Sequence, residues 1–182
     1  MNYKNFFINT DRLTLRPLST DDIETAHIYS SDKENTGYML HLPNSTMRET
    51  EQFLSEAAHE WEKEQPQYYE FAVVLDGKHI GAVDVYLNEL RTEGELGWII
   101  NKLYWGNGYG VEAAAAVRDF ALNSLKVHRL FACCDQRNIA SSRVMQKIGM
   151  QLEDSTRKRV YPGTQETASE FMYSLTVSDN EF

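Results

Sequence analysis

Leu13 and Leu15 alternate with Arg12, Thr14 and Arg16, the period of a half-buried strand, and the run stops at Pro17. Past Ser19 the spacing lengthens, with Ile23, Ala26 and Ile28 on an amphipathic stretch. A second helix is marked more clearly, because Thr46 and Glu49 make a capping-box pair ahead of Met47, Phe53, Leu54, Ala57 and Trp61 at helical intervals. Between the two, residues 32–44 show no period and carry Gly37 and Pro43. Such a loop is long enough to border a site and equally able to be a plain connection. Residues 71–75 and 80–87 then read as apolar strands joined through Asp76-Gly77, a hairpin turn, and residues 95–100 as a third strand. A glycine-rich turn leads into a helix carrying Val111, Ala114, Ala115, Val117 and Leu122, followed by an apolar strand over 130–134. A helix from about 140 to 148 ends at Gly149, a residue type that accepts a left-handed C-cap. The last strand is expected over 170–177, and the polar residues 178–182 are expected to fray.

Composition narrows what these elements can be for. A chain of 182 residues with 42% hydrophobic content has room for one packed domain over 1–182. Asp and Glu exceed Lys and Arg by 27 to 18, a net charge of -9, which argues against a nucleic acid partner. A cationic or amine partner suits the balance, as does simple solubility. Cys133 and Cys134 are adjacent, so they build neither a disulfide framework nor a Cys-x-x-Cys metal spacing, and they read as small buried or half-buried thiols. The five histidines are scattered, and no metal is expected. The N-terminus opens no basic-then-apolar signal and no stretch approaches the ~18 apolar residues of a membrane span, so the expected setting is cytoplasmic and reducing.

Two segments carry chemistry. In Trp105-Gly106-Asn107-Gly108-Tyr109-Gly110-Val111-Glu112, three alternating glycines stand where a strand passes into a helix, leaving main-chain N–H groups unshielded. Free amides at a helix N-terminus, reinforced by the macrodipole, suit a pyrophosphate. The spacing is not that of a dinucleotide fingerprint, and no Gly-Lys-Ser/Thr follows, so the phosphate loop of nucleotide triphosphatases fails too. A turn eased by glycine is the plainer alternative. The second segment is Arg137-Asn138-Ile139-Ala140-Ser141-Ser142-Arg143-Val144-Met145-Gln146-Lys147-Ile148-Gly149.

Together, some thirty residues apart, these segments resemble the GNAT superfamily of N-acetyltransferases, and within it the branch acting on ribosomal-protein N-termini. Residues 10–16, Thr-Asp-Arg-Leu-Thr-Leu-Arg, are similar to that branch's first strand. The resemblance implies a mixed, strongly twisted α/β sheet in the order β-α-α-β-β-β-α-β-α-β-β, and the periodicities are read as the same order. It also implies two neighbouring parallel strands that splay apart around acetyl-coenzyme A as co-substrate. By the same resemblance the amides of Gly106, Asn107, Gly108, Tyr109, Gly110 and Val111 hold the pyrophosphate, and Asn138 the pantetheine arm. Ser141 lies near the thioester sulfur, Lys147 belongs to the coenzyme motif, and main-chain N–H groups of Trp98, Ile99 and Ile100 polarise the acetyl carbonyl. Each side chain has a plainer reading as well. Asn138 can be a helix N-cap worth ~1 kcal/mol, Ser141 a solvated hydroxyl, and Glu112 a complement to the helix dipole.

Direct attack on a thioester needs a neutral amine, a polarised carbonyl and a stabilised leaving thiolate. Glu95 is the first candidate base, since it shares a strand face with Gly97 and Ile99 and opens the strand that feeds the glycine turn. Asp84 and Glu170 are lesser candidates. Ser141 is the candidate donor to the departing sulfur, with Tyr104, Tyr109 and Tyr173 as substitutes. The expected acceptor is a protein or peptide N-terminal α-amine, a ribosomal protein among the possibilities. The alternatives are a small amine such as an antibiotic, a polyamine or an amino-acid-like molecule, or a coenzyme-binding regulatory module without turnover. The chain is expected to be a monomer or a homodimer.

Overall fold

The computed structural model describes residues 6–162, 164 and 166–177. Its strands form one eight-stranded sheet in the order β1-β2-β3-β4-β5-β6-β8-β7. These are β1 (Ile8–Asn9), β2 (Leu13–Pro17), β3 (Tyr68–Leu75), β4 (Lys78–Leu87), β5 (Glu93–Ile100), β6 (Arg129–Asp135), β7 (Gln151–Val160) and β8 (Thr167–Thr176). The helices are α1 (Ile23–Ser30), α2 (Met47–Trp61), α3 (Tyr109–Asn123) and α4 (Ile139–Lys147). Neighbouring strands pair antiparallel except β5 with β6, which are parallel. None of these helices is long and apolar enough to cross a membrane. The expected fraying of 178–182 lies outside the described residues.

Strand alternation sends two sets of side chains to opposite faces. Phe71, Val73, Val83, Val85, Leu96 and Leu130 meet Ala113, Ala114 and Val117 of α3 and Met145 and Ile148 beyond or within α4. Ala72 and Ala82 of the other face meet Leu18, Ala26 and Tyr29, with Leu54 of α2. Each large side chain fully removed from water here contributes about 1.5–3 kcal/mol. Small Ala113, Ala114 and Ala121 on the buried side of α3 let that helix lie close to the sheet.

The helix N-termini follow their side chains. Thr46 accepts from the Glu49 amide and Glu49 reaches back to the Thr46 amide at 2.8 Å, so the capping box holds. α1 begins at Ile23, the first apolar residue of its pattern, after a 3-10 turn Thr20–Asp22 that Arg16 clamps through Asp22 at 2.7 and 2.6 Å. Its buried side is Ala26, Tyr29 and Ser30, whereas Ile28 is 58% exposed, because position 28 lies off the stripe set by 23, 26 and 29. The order of elements agrees with the expected one, with one addition, β1, and with β7 standing where the order has a strand but no residues were assigned to it. β1 is two residues long, and β7 is exposed at all but Asp154 and Arg159, so neither left a hydrophobic period to read.

Candidate active site

The parallel ladder between β5 and β6 is short: Glu93 faces Arg129, Gly94 faces Leu130, Glu95 faces Phe131, and there it stops. Both strands go on, β5 paired with β4 as far as Gly81 and Ile100, β6 with β8 as far as Asp135 and Glu170. The two strands therefore part into a V whose inner edges, residues 96–100 and 132–135, have no strand partner across the gap. Main-chain polar groups of a sheet demand partners, and such an opening accepts an extended ligand that carries its own amides, much as a sheet edge accepts an added strand.

α3 and α4 start at the wide end of this V, following β5 and β6 in the chain. Asn138 caps α4, its Oδ1 accepting from the Ser141 amide at 3.1 Å. The cap of α3 is Gly108, at φ +82, with no side-chain hydrogen bond to the first turn; a Cβ there would lie 3.6 Å from the Arg12 guanidinium. Gly106 is also left-handed, at φ +80, and a Cβ there would meet nothing within 4 Å. The opening amides of α3 thus carry no side-chain cap at the positive end of a fifteen-residue helix, the end at which negative charge is favoured.

Long-range contacts, invisible to local patterns, hold this turn. Glu112 accepts from Thr10 Oγ1 at 2.6 Å and from the Arg12 amide at 2.9 Å, and its carboxylate pairs with the Arg12 guanidinium at 2.6 Å. Arg12 also donates to the Asn107 carbonyl at 3.0 Å and lies 4.6 Å over the Tyr109 ring. Burial raises the Glu112 carboxyl, but the hydrogen bonds from Thr10 and Arg12 outweigh it and leave the group below its ordinary range. Glu112 is therefore a fastener between α3 and the start of β2, in addition to lying in the first turn where the helix dipole favours it. Trp105 donates its Nε1 hydrogen to the Ile100 carbonyl at 2.7 Å, so its indole anchors the turn to β5. Asn35 donates to that same carbonyl at 2.9 Å and accepts from the Lys102 amide at 2.7 Å. Lys102 pairs with Asp32 at 2.7 Å, and Arg159 of β7 donates to the Tyr38 carbonyl at 2.8 Å. The 32–44 loop is thus tied to the end of β5 and to β7.

The expected residues lie on β5, the turn into α3, α4 and β8, the elements that flank the V. Trp98 is half-buried against the α3 face, Ile99 packs towards the α1 cluster, and Ile100 is buried. Ser141 is half-buried in the first turn of α4, next to Ser142, whose Oγ lies 3.3 Å from Cys134 Sγ. Lys147 is exposed in the last turn of α4, roughly 13 Å along the axis from Asn138. Tyr104 ends a 3-10 turn, Lys102–Tyr104, and packs half-buried against the larger core. Tyr173 is buried and its hydroxyl accepts from Gln146 at 3.1 Å, while Tyr109 lies beneath Arg12.

The α1/α2 face of the sheet carries a row of acids. Register places Glu70 beside Asp84, Asp84 beside Gly97, and Tyr86 beside Glu95. The Tyr86 hydroxyl donates to Glu70 at 2.8 Å and its ring stacks on Tyr68 at 4.6 Å. Burial pushes the Glu70 carboxyl up to about 7 despite that hydrogen bond. Burial, then the charges of Glu70 and Glu95, raise Asp84 well above its ordinary value. Glu95 is solvent-exposed, yet the protein mass around it and then the charge of Glu170 raise it, against the pull of Arg157, Arg159 and His41. Glu170 is buried and engaged by Arg157 at 3.0 Å and Arg159 at 2.9 Å. Cys133 stands near these acids, and burial together with Glu170 and Glu95 pushes its thiol up to about 12, which leaves no thiolate to act as a nucleophile. Sequence reasoning passed over Glu70 and Tyr86. The available signal was a carboxylate breaking an apolar strand, present at both Glu70 and Asp84. Among the described residues no three His, Cys, Asp or Glu side chains are gathered as a metal site requires.

A sheet that opens after one short parallel ladder, with an uncapped glycine-led helix at its mouth, has counterparts among known proteins. Over 170 residues the chain is 29% identical to an uncharacterized N-acetyltransferase, YnaD, of Bacillus subtilis, covering 92% of this chain and 95% of that one. A crystal structure of a GNAT-family acetyltransferase from Bacillus anthracis is 29% identical and superposes with a TM-score of 0.81, covering 94% and 98% of the two chains. The spermidine N-acetyltransferase of Vibrio cholerae, crystallised with coenzyme A and spermine, shares the fold at a TM-score of 0.79 and 17% identity, over 92% and 96% of the chains. Residues 12–151 match the acetyltransferase (GNAT) domain, and the chain belongs to that family of acetyl-coenzyme A-dependent N-acetyltransferases.

Proposed function

We propose that the protein moves the acetyl group of acetyl-coenzyme A to a primary amine by direct attack in a ternary complex, with a peptide or protein N-terminal α-amine as the first-choice acceptor. The observation that carries this reading is the parting of β5 from β6 after Glu95 and Phe131, next to the uncapped N-terminus of α3. The first-turn amides from Gly106 to Val111 would hold the pyrophosphate, and the edge formed by Trp98, Ile99 and Ile100 would hydrogen-bond the extended arm and polarise the acetyl carbonyl. Asn138 already spends its Oδ1 on the α4 cap, which leaves its amide hydrogens for the arm. Ser141 would stabilise the departing thiolate by a hydrogen bond, and Glu95, raised and open to solvent, would receive the ammonium proton.

An α-amine near pKa 8 is about a tenth neutral at pH 7, whereas a lysine-like amine costs about 4.6 kcal/mol to deprotonate. A weakly basic carboxylate therefore suits an α-amine. The motif resemblance to the ribosomal-protein branch favours that acceptor. A small polyamine is the second reading, favoured by Glu70, Asp84 and Glu95, none of which joins an ion pair among the described residues. A thiol-release assay with acetyl-coenzyme A against a panel of peptides and amines tests both. Turnover on α-amines with little on polyamines supports the first reading; the reverse pattern replaces it with the second; no release with any amine removes both.

A further inference from the structure

Asp84 occupies a place that only a glycine neighbour permits. It faces Gly97 across the β4–β5 ladder. A Cβ on Gly97 would stand 2.6 Å from Asp84 Oδ2 and 2.7 Å from Oδ1, closer than such atoms approach. The carboxylate therefore lies over the β5 backbone, two residues past the last rung shared by β5 and β6, where the V is opening. Gly97 immediately precedes the Trp98–Ile100 edge. Glu95 stands on the same face one step back, the diagonal cross-strand neighbour of Asp84 and open to solvent. On the far side Glu70 is directly opposite Asp84 and hydrogen-bonded by Tyr86.

We propose that Asp84 takes the ammonium proton of the bound acceptor and that Glu95 passes it on to solvent, with Glu70 a positioning residue behind Asp84. This rests on the acetyltransferase reading and divides between two carboxylates the task given above to Glu95. The ammonium nitrogen surrenders one proton to the Asp84 carboxylate, and its freed electron pair forms the bond to the acetyl carbon. The carbon–sulfur bond breaks with its electrons on sulfur. A second proton leaves the nitrogen and ends on the thiolate, so that amide and free thiol form and one proton exits through Glu95. The groups that act on Asp84 and Glu70 are Tyr29 from α1, Tyr68 from β3, Tyr86 from β4 and Glu95 from β5, and Glu95 in turn meets Glu170, Arg157, Arg159 and His41. The tyrosines stay neutral, so the charges that set Asp84 are Glu70 and Glu95. Two like charges on a buried pair favour retention of a proton, which raises the pair's titration above the ordinary carboxylate range.

The test is the pH profile of kcat/KM for the intact protein and for Asp84→Asn, Glu95→Gln, Glu70→Gln and Gly97→Ala, with calorimetric titration of acetyl-coenzyme A and a thermal melt for each. Asp84→Asn is expected to lower kcat by about a hundredfold or more while still binding the coenzyme. Glu95→Gln is expected to lose about tenfold and to recover when a small buffer base such as imidazole is added. Glu70→Gln is expected to move the acid limb of the profile towards lower pH. Gly97→Ala is expected to reduce kcat while the coenzyme still binds, and Asp84→Asn, which changes no volume, carries the test if Gly97→Ala does not fold. An Asp84→Asn variant within twofold of the unsubstituted protein overturns the proposal while leaving the acetyltransferase reading intact. An unsubstituted protein that neither binds acetyl-coenzyme A nor releases its thiol overturns both.

Discussion

The coenzyme side of the V and the acceptor face of the sheet solve opposite physical problems. On the proposed coenzyme side recognition would come from main chain: the uncapped first turn of α3, an unpaired strand edge, and glycines at the turn. The charges nearby, Arg12 and Glu112, neutralise each other and hold the turn in shape. On the proposed acceptor face β4 is paired along both edges, and the chemistry would lie in side chains whose burial leaves them short of counter-charge. A rigid backbone cradle suits an invariant ligand such as the coenzyme. Adjustable carboxylates suit a proton and an amine.

This contrast predicts that backbone changes strike coenzyme affinity and side-chain changes strike rate and pH dependence. Gly108→Val is expected to do the most. A β-branched residue at φ +82 is strained and would shade the α3 amides, so KM for acetyl-coenzyme A should rise roughly ten- to a hundredfold in steady-state assays. Glu70→Gln should change stability rather than coenzyme affinity. The folded-state carboxyl, near 7, retains its proton where the unfolded chain, near 4.5, has lost it, so the folded state binds more protons between those values. Its neutral form is unpenalised below about 4.5, and stability falls as pH rises towards 7. Denaturant melts at pH 5 and pH 8 should therefore show the variant gaining on the order of 3 kcal/mol at the higher pH relative to the lower, with Gln still accepting from Tyr86. A parallel pair of pH curves would place the Glu70 carboxyl in its ordinary range.

The coenzyme side was the more legible of the two in sequence because its signals are local. Gly106, Gly108 and Gly110 announce an unshielded turn, and Asn138 with Ser141 announces a cap, within stretches a few residues long. What fastens that turn was not legible, since Thr10 and Arg12 reach Glu112 across about a hundred residues. On the acceptor face Glu95 and Asp84 were visible as strand carboxylates, but alternation could not say which had a counter-charge. Only the register shows that Glu170 meets Arg157 and Arg159 whereas Asp84 meets Glu70 and a glycine. β7 was silent for a different reason: its exposed, polar residues pair with β8 through main-chain bonds that no side-chain period reports.

Two smaller effects sharpen the division further. Ser141→Ala is expected to slow acetyl transfer about tenfold, the loss of one hydrogen bond to a charged sulfur, with coenzyme binding by calorimetry intact; an unchanged kcat on a verified substrate would remove Ser141 from the chemistry. Arg12→Ala is expected to cost about 0.5–1 kcal/mol of stability, small because the guanidinium is half-exposed, and to raise KM for acetyl-coenzyme A a few-fold by loosening the Asn107 turn.

The most direct measurement is calorimetric titration of acetyl-coenzyme A into the unsubstituted protein and into Gly108→Val. A cradle of open amides and unpaired strand edge predicts saturable one-to-one binding to the unsubstituted protein, competed by the free thiol form, and strongly weakened in the variant. No detectable heat with either form of the coenzyme, or tighter retention of ATP or NAD, would contradict it.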